Sequence, residues 1–239
     1  MTKPVERDRI YCRRWFDAEV IVVCVRWYIS YRLTYRDLVE MMAERGVSVA
    51  HTTILRWTLK FIPEFEKRWG RFRRRVGGSW RMDETYMSIR GHWHYLYRAV
   101  DQYGQTIDFL LRRDRGMAAA QAFFRKALGS NRSHVPRTVT LDGHVPSRAA
   151  QWKLRREHVK WRHARVRTCK YLNNIAEQDH RRIKARCGPL KGFKSFVTAA
   201  VTLAGFELAH QIRKRQFNFK RRGRRFGLNR RIDWQIALA

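Results

Sequence analysis

Acidic residues are scarce in this chain. It carries 20 Asp+Glu against 52 Lys+Arg, a formal net charge of +32 in 239 residues. A fold so charged repels itself and needs a polyanion nearby, and nucleic acid is the expected one, ahead of an anionic membrane. Cysteine is scarce too. Cys12, Cys24, Cys169 and Cys187 form no CxxC pair, which argues against a zinc ribbon or a disulfide framework and for reduced thiols. No run of eighteen apolar residues exists, so no membrane-spanning helix is expected. Residues 1–14 are charged throughout, unlike a signal peptide. A cytoplasmic protein is the expectation. What is present is ample core material, 44% apolar and 13% aromatic residues, enough for one or two domains.

The first 76 residues predict a helical domain. In residues 17–31, Val20, Val23, Cys24 and Trp27 fall at helical spacing, while the β-branched run IVVCV leans toward a strand. Thr34 caps a second helix, with Asp37 in capping-box register and Leu38, Met41 and Met42 inside. Gly46 ends it. A third helix runs from His51 to about Phe61, before Pro63, with Ile54, Leu55 and Leu59 on its buried side. Helix, glycine turn, helix is the helix-turn-helix pattern, and His51, Thr52 and Arg56 then face DNA. A plain helical bundle with a solvated polar face has the same pattern; the charge of the chain favours DNA. Residues 64–76 read as a basic linker.

From Trp80 the periodicity changes. WRMDETYMSI, HWHYLYRAVD and QTIDFLLRR read as three strands joined by hairpin signals. A helix over 117–128, a strand over 137–141, a helix over 147–156, a strand near 158–162 and a late helix follow. The order βββαβαβα predicts an α/β domain, a mixed sheet with helices on its faces, over residues 77–214. Its last helix spans about 197–214. Residues 215–239 form a basic tail. Ten Lys or Arg occupy the nineteen positions 213–231, interleaved with Phe217, Phe219 and Phe226. That mixture suits a nucleic-acid contact, or a segment that orders only on DNA.

The late helix, 171–187, reads YLNNIAEQDHRRIKARC. Asn173 or Asn174 caps it and Gly188-Pro189 stops it. On a 100° wheel Leu172, Ala176, Ile183 and Cys187 share one stripe with Asp179. Glu177 lies away from that stripe, with Arg181 and Lys184 on its own side. Glu177 is thus an exposed acid in a basic face, either a surface ion pair or a metal ligand beside phosphate-binding cations. Asp179 is expected to be structural, bonded to a backbone group or an arginine. Asp83 stands inside the first strand among apolar residues, where a carboxylate is costly unless paired or metal-bound. Asp142 follows the fourth strand, where an α/β sheet opens its ligand crevice. Three carboxylates on separate elements suit two Mg²⁺ ions, for which Mn²⁺ can substitute. Glu84, next to Asp83, should face the other way. His92 and His94 read as ordinary strand residues, and Trp15, Trp27, Trp57, Trp69 and Trp93 as core or linker packing.

The stretches TYRDLVEMMAERGVSVAHTTILRW, RMDETYMSIRGHWHYLYRAVDQYGQTIDFLL, LDG, YLNNIAEQDHRRIK and GFKSF, together with 34 residues between Asp142 and Glu177, resemble insertion-sequence family six of the DDE transposases. The resemblance spans about residues 20–214. It implies a ribonuclease-H-like catalytic domain preceded by the helix-turn-helix. It implies Asp83, Asp142 and Glu177 as the catalytic, metal-binding triad, and Lys184, with Arg181 beside it, as a DNA contact. It implies double-stranded DNA partners, namely terminal inverted repeats and target, and a homo-oligomer holding two ends together. The setting implied is the bacterial nucleoid. The implied reaction frees a 3′-OH at each end and joins it to target DNA, giving cointegrates. A DNA-binding regulator, or a transposase remnant without catalysis, is the alternative for the same residues.

Overall fold

The computed structural model describes residues 15–130, 135–141, 145–157, 161–168, 174–190, 192–218 and 234. Their contacts divide them into two compact units. One comprises described residues of Met1–Arg73 and Ala200–Ala239, the other those of Arg74–Ala199. Residues 200–214, read from the sequence as part of the second segment, pack in the first unit. Among the described residues no helix is long and apolar enough to cross a membrane.

The first unit is helical. Helix α1 (Ala18–Ser30) buries Ile21, Cys24, Val25, Tyr28 and Ile29, so the apolar periodicity overrides the β-branched composition. Burial raises the Cys24 thiol to about 11, leaving it protonated and inert. Helix α2 (Tyr35–Ala43) starts with the expected capping box. The Asp37 N–H donates to Thr34 Oγ1 at 3.2 Å, and the Thr34 N–H donates to Asp37 Oδ2 at 2.7 Å. Gly46, at φ +70, takes the left-handed backbone of the turn, where a side chain would be strained.

Helix α3 (His51–Gly70) is longer than the sequence suggested, and Pro63 lies inside it. The stripe Ile54, Trp57, Thr58, Phe61, Ile62, Phe65 and Trp69 is buried throughout, and this burial outweighs the backbone bond that Pro63 removes. Leu55 and Leu59 are only half-buried, and Trp57 and Thr58 take the inner positions instead. The basic linker is therefore helical as far as Gly70. Trp69 is a core residue, edge-on to Phe217 at 4.8 Å and to Trp234 at 5.2 Å between centroids. Two aromatics near the chain's end thus serve packing. Phe219 and Phe226 lie outside the described residues. Helix α7 (Phe196–Arg213), from Ala200 on, packs beside α1 and α3. A Cβ on Gly205 would stand 2.6 Å from the Ile29 side chain and 2.8 Å from that of Ile62, so glycine permits this approach.

Ala50 occupies the N-cap of α3 at φ −77, ψ 145 and makes no side-chain cap bond. The first N–H groups of the helix have no intrahelical partner. That backbone suits a capping serine, so Ala50→Ser is expected to stabilise the first unit by about 1 kcal/mol. Urea melts of the full chain measure it, and an unmoved or lowered midpoint would place the cap elsewhere.

The second unit holds a five-stranded mixed sheet in the order β3-β2-β1-β4-β5. Strands β1 (Ser79–Ile89), β2 (His92–Asp101) and β3 (Thr106–Arg112) form an antiparallel meander. Strands β4 (Thr138–Leu141) and β5 (Arg165–Thr168) extend it in parallel beyond β1. Helices α4 (Met117–Ser130) and α5 (Val145–Glu157) help form the main core with Trp80, Met82, Tyr97, Val139 and Leu141. The fifth strand falls at 165–168 and not near 158–162. Trp161 is fully buried, edge-on to Trp80 and Phe124. The chain turns there to seat the indole and becomes extended only after Ala164. Arg165 and Arg167 on β5 give the sheet a charged edge, which discourages pairing with another strand. Helix α6 (Asn174–Cys187) packs on β1 and β2.

Candidate active site

Asp83 sits midway along β1. Side chains alternate across a strand, so Asp83 and Glu84 point to opposite faces. Asp83 is in direct register with Arg98 of β2. Arg98 interrupts the apolar run of β2 and is 1% exposed, and its guanidinium donates to Asp179 Oδ2 of α6 at 2.7 Å. Asp179 is 6% exposed. A buried guanidinium is tolerable only with a carboxylate in good geometry, and the acid on the buried stripe of α6 supplies it. The structural role expected for Asp179 is thus observed, with an arginine as its partner.

His180, the next residue, is also buried. Its Nε2 lies 3.5 Å from Asp83 Oδ2. Burial, and then the nearby Arg98 guanidinium, push its pKa down to about 3, so the ring is neutral at pH 7. The sequence reading missed His180. It stands beside Asp179, toward the buried side of the same wheel, and that was its available signal. The Asp83 Oδ1 also accepts the Glu84 N–H at 2.9 Å.

Glu177 is exposed near the start of α6, and Arg181 and Lys184 are exposed on the same helix. Their common side follows the helical wheel. Asp142 lies outside the described residues; Leu141, the residue before it, is the last of β4. Among the described residues no group of three or more His, Cys, Asp and Glu is placed to hold a metal. Asp83 and Glu177 are nonetheless suitable donors for a hard cation. The Asp83 side chain is 15% exposed and Glu177 is open to solvent.

Glu84 is buried on the opposite face and paired with Arg115. Among the described residues His92 and His94 join no group of three that could hold a metal; His94 Nδ1 is 3.0 Å from the His92 carbonyl. Trp57 and Trp69 are packed as expected, whereas Trp15 and Trp93 are 101% and 64% exposed. In the first unit, His51, Thr52 and Arg56 are exposed on α3 while Ile54, Trp57 and Thr58 are buried. The three expected DNA-facing residues thus share the open side of that helix.

Comparison with known proteins places the chain in a family. A DDE domain family matches residues 77–216. A transposase for the insertion sequence-like element IS431mec of Staphylococcus aureus is 38% identical over 200 residues, 84% of this chain and 87% of the relative. A transposase for insertion sequence element IS257 in transposon Tn4003, also from Staphylococcus aureus, is 37% identical over the same shares. Among solved structures, the HTLV-2 integrase catalytic core domain in complex with magnesium, in its trimeric form, is similar at 15% identity and a TM-score of 0.43. That match covers 56% of this chain and 86% of that one. The chain belongs to the insertion-sequence transposases with a DDE catalytic domain, in family six.

Proposed function

We propose that the protein binds the terminal inverted repeats of its element, cleaves one strand at each end and joins the freed ends to target DNA. The observation that carries this reading is the seating of α6. His180 approaches Asp83 and Asp179 binds Arg98, so α6, the helix that carries Glu177, packs on the strand that bears Asp83. Arg81 pairs with Thr140 in the parallel register of β1 and β4, and Asp142 is the next residue in the sequence after Leu141, the last of β4. Asp83, Asp142 and Glu177 are the proposed ligands of two Mg²⁺ ions, which when bound would offset charge on the entering and leaving oxygens. Arg181 and Lys184 would hold phosphates beside Glu177. His51, Thr52 and Arg56 would read the repeat from α3.

In the first step a water oxygen attacks the phosphorus at the element's end. The P–O3′ bond breaks, leaving a 3′-OH on the element and a 5′-phosphate on the flank. In the second step that 3′ oxygen attacks a target phosphorus and expels the target's own 3′ oxygen, and its proton passes to solvent. Replication through the joined ends would give cointegrates. Two ends must be held at once, so a homo-oligomer on DNA is part of the proposal. The test is the purified full chain with Mg²⁺ and a labelled element-end duplex. Joined products are expected. A shifted duplex without nicks would make the protein a DNA-binding regulator, and nicks without joining would make it a nuclease.

The tail gives a separate expectation. Changing Lys220, Arg221, Arg222, Arg224 and Arg225 to Gln should weaken binding to all duplexes alike. Each lost phosphate contact should take about 0.9 from the slope of log affinity against log salt. Binding isotherms at several salt concentrations measure this, and an unchanged slope would remove the tail from the interface.

A further inference from the structure

The face of β1 and β2 opposite Asp83 carries an exposed aromatic cluster near the hairpin turn. Tyr86 is 46% exposed and Trp93 64% exposed. Tyr86 pairs with Tyr95 and Ser88 with Trp93 in the β1–β2 register, so all three rings stand on the side of Glu84. Tyr86 meets Trp93 at 6.1 Å and 78°, and Tyr95 at 5.4 Å and 58°. Arg115 completes the cluster. Its guanidinium lies 5.8 Å from the centre of the Tyr86 ring and 6.0 Å from that of Tyr95. It donates to the Tyr86 hydroxyl at 3.0 Å and is anchored by the Glu84 carboxylate.

Tyr86 and Trp93 are held in place without being covered, and Tyr95 is half-buried against the core beside them. The exposure of the first two leaves part of the Tyr86 ring and most of the Trp93 indole open to a ligand. The arginine is fixed from behind by a buried acid, so its plane is ordered before any ligand arrives. An indole left in water forgoes the stabilisation that burying its large apolar surface would give, which marks a binding surface. The chemistry of the rim decides the ligand. Arg112, in register with Tyr95 on β3, is 38% exposed, and Arg90 is exposed in the turn. Tyrosine, tryptophan and arginine also suit protein interfaces, but the surplus of 52 Lys+Arg over 20 Asp+Glu in this chain favours an anionic partner. Aromatics among arginines suit nucleobases, because every base has a π face and every nucleotide a phosphate. Bases inside a duplex already stack on both sides, so away from the duplex ends only unpaired bases present a free face.

We infer that Tyr86, Trp93, Tyr95 and Arg115 form a stacking platform for unpaired bases of a DNA strand, without sequence preference. Tyr86 follows Asp83 by three residues, about 10 Å along the strand. The platform is on the other face of the sheet from the proposed cleavage site, so an unpaired strand would reach it by passing round the β1–β2 turn. This location rests on the reading of Asp83 as catalytic; the stacking chemistry does not.

The experiment compares the full chain with Trp93→Ala, Tyr86→Ala and Trp93→Phe. Fluorescence anisotropy gives affinities for a blunt duplex, the same duplex with a five-nucleotide single-stranded extension, and an oligothymidylate. Trp93→Ala and Tyr86→Ala should each lose about tenfold on the extended duplex and on the oligothymidylate, with blunt-duplex affinity unchanged. Trp93→Phe should retain most of the binding. Melting temperatures should stay put, since both side chains are exposed. Equal losses on blunt and extended duplexes, or no loss on either, would overturn the inference. So would a change in the sedimentation of DNA-free protein, which would make the patch a contact between copies. A chain that binds the oligothymidylate through Trp93 but neither joins nor nicks element ends would sink the proposed function and leave the platform standing.

Discussion

Asp179→Asn is expected to destabilise the second unit by about 3–5 kcal/mol, the cost of leaving one partner of a buried ion pair alone. Arg98 and Asp179 are 1% and 6% exposed. The amide keeps the shape of the carboxylate and removes its charge, so the loss isolates the pairing from packing. Strand transfer should fall with stability, because the same pair seats α6 on β2. Glu177→Gln, two residues away on the same helix, should behave in the opposite sense. Glu177 is exposed, and if it shares a metal site with Asp83 and Asp142 as proposed, removing its charge relieves repulsion when no metal is bound. Metal-free melts of the two variants compare them directly. If Asn at 179 were neutral and Gln at 177 destabilising, the structural and ligand roles would have to be exchanged.

The separation of an exposed Glu177 from a buried Asp179 on one helix was legible from the sequence, because a 100° wheel separates the two whatever the helix packs against. The meander was legible as well. The alternation in residues 80–113 and the turn residues between its runs fix three strands without knowledge of the partners. The capping box at Thr34 and the bare cap at Ala50 follow from single residues. What failed depended on tertiary contacts. Pro63 looked like a stop, yet the stripe from Ile54 to Trp69 carries the helix past it. Trp161 looked like part of a strand until its burial against Trp80 and Phe124 required a turn. Trp93 looked like packing and is open to solvent.

The surroundings of the candidate site were half legible for the same reason. Asp83 and Glu177 announce themselves by position, an acid in an apolar strand and an acid in a basic face. Arg98 does not, because YLYRAVD reads as an ordinary strand until the cross-strand register sets Arg98 opposite Asp83. His180 depended on knowing that α6 lies against β1. The end of α7 shows the same limit. Its amphipathic pattern identifies a helix, but the match of Gly205 to Ile29 and Ile62 is a property of three elements at once.

The central claim is that Asp83 and Glu177 act together in phosphoryl transfer and not in DNA binding. Asp83→Asn and Glu177→Gln should each lower strand transfer by about 10²–10³-fold or more, the scale of losing a group that stabilises transition-state charge. A neutral amide is a poor ligand for a hard cation, while the cations that hold DNA are untouched in both variants. The decisive measurement is single-turnover strand transfer by Glu177→Gln on a pre-cleaved element end, with duplex affinity measured in parallel. Loss of joining at unchanged affinity is the predicted result; joining near the wild-type rate would contradict the assignment.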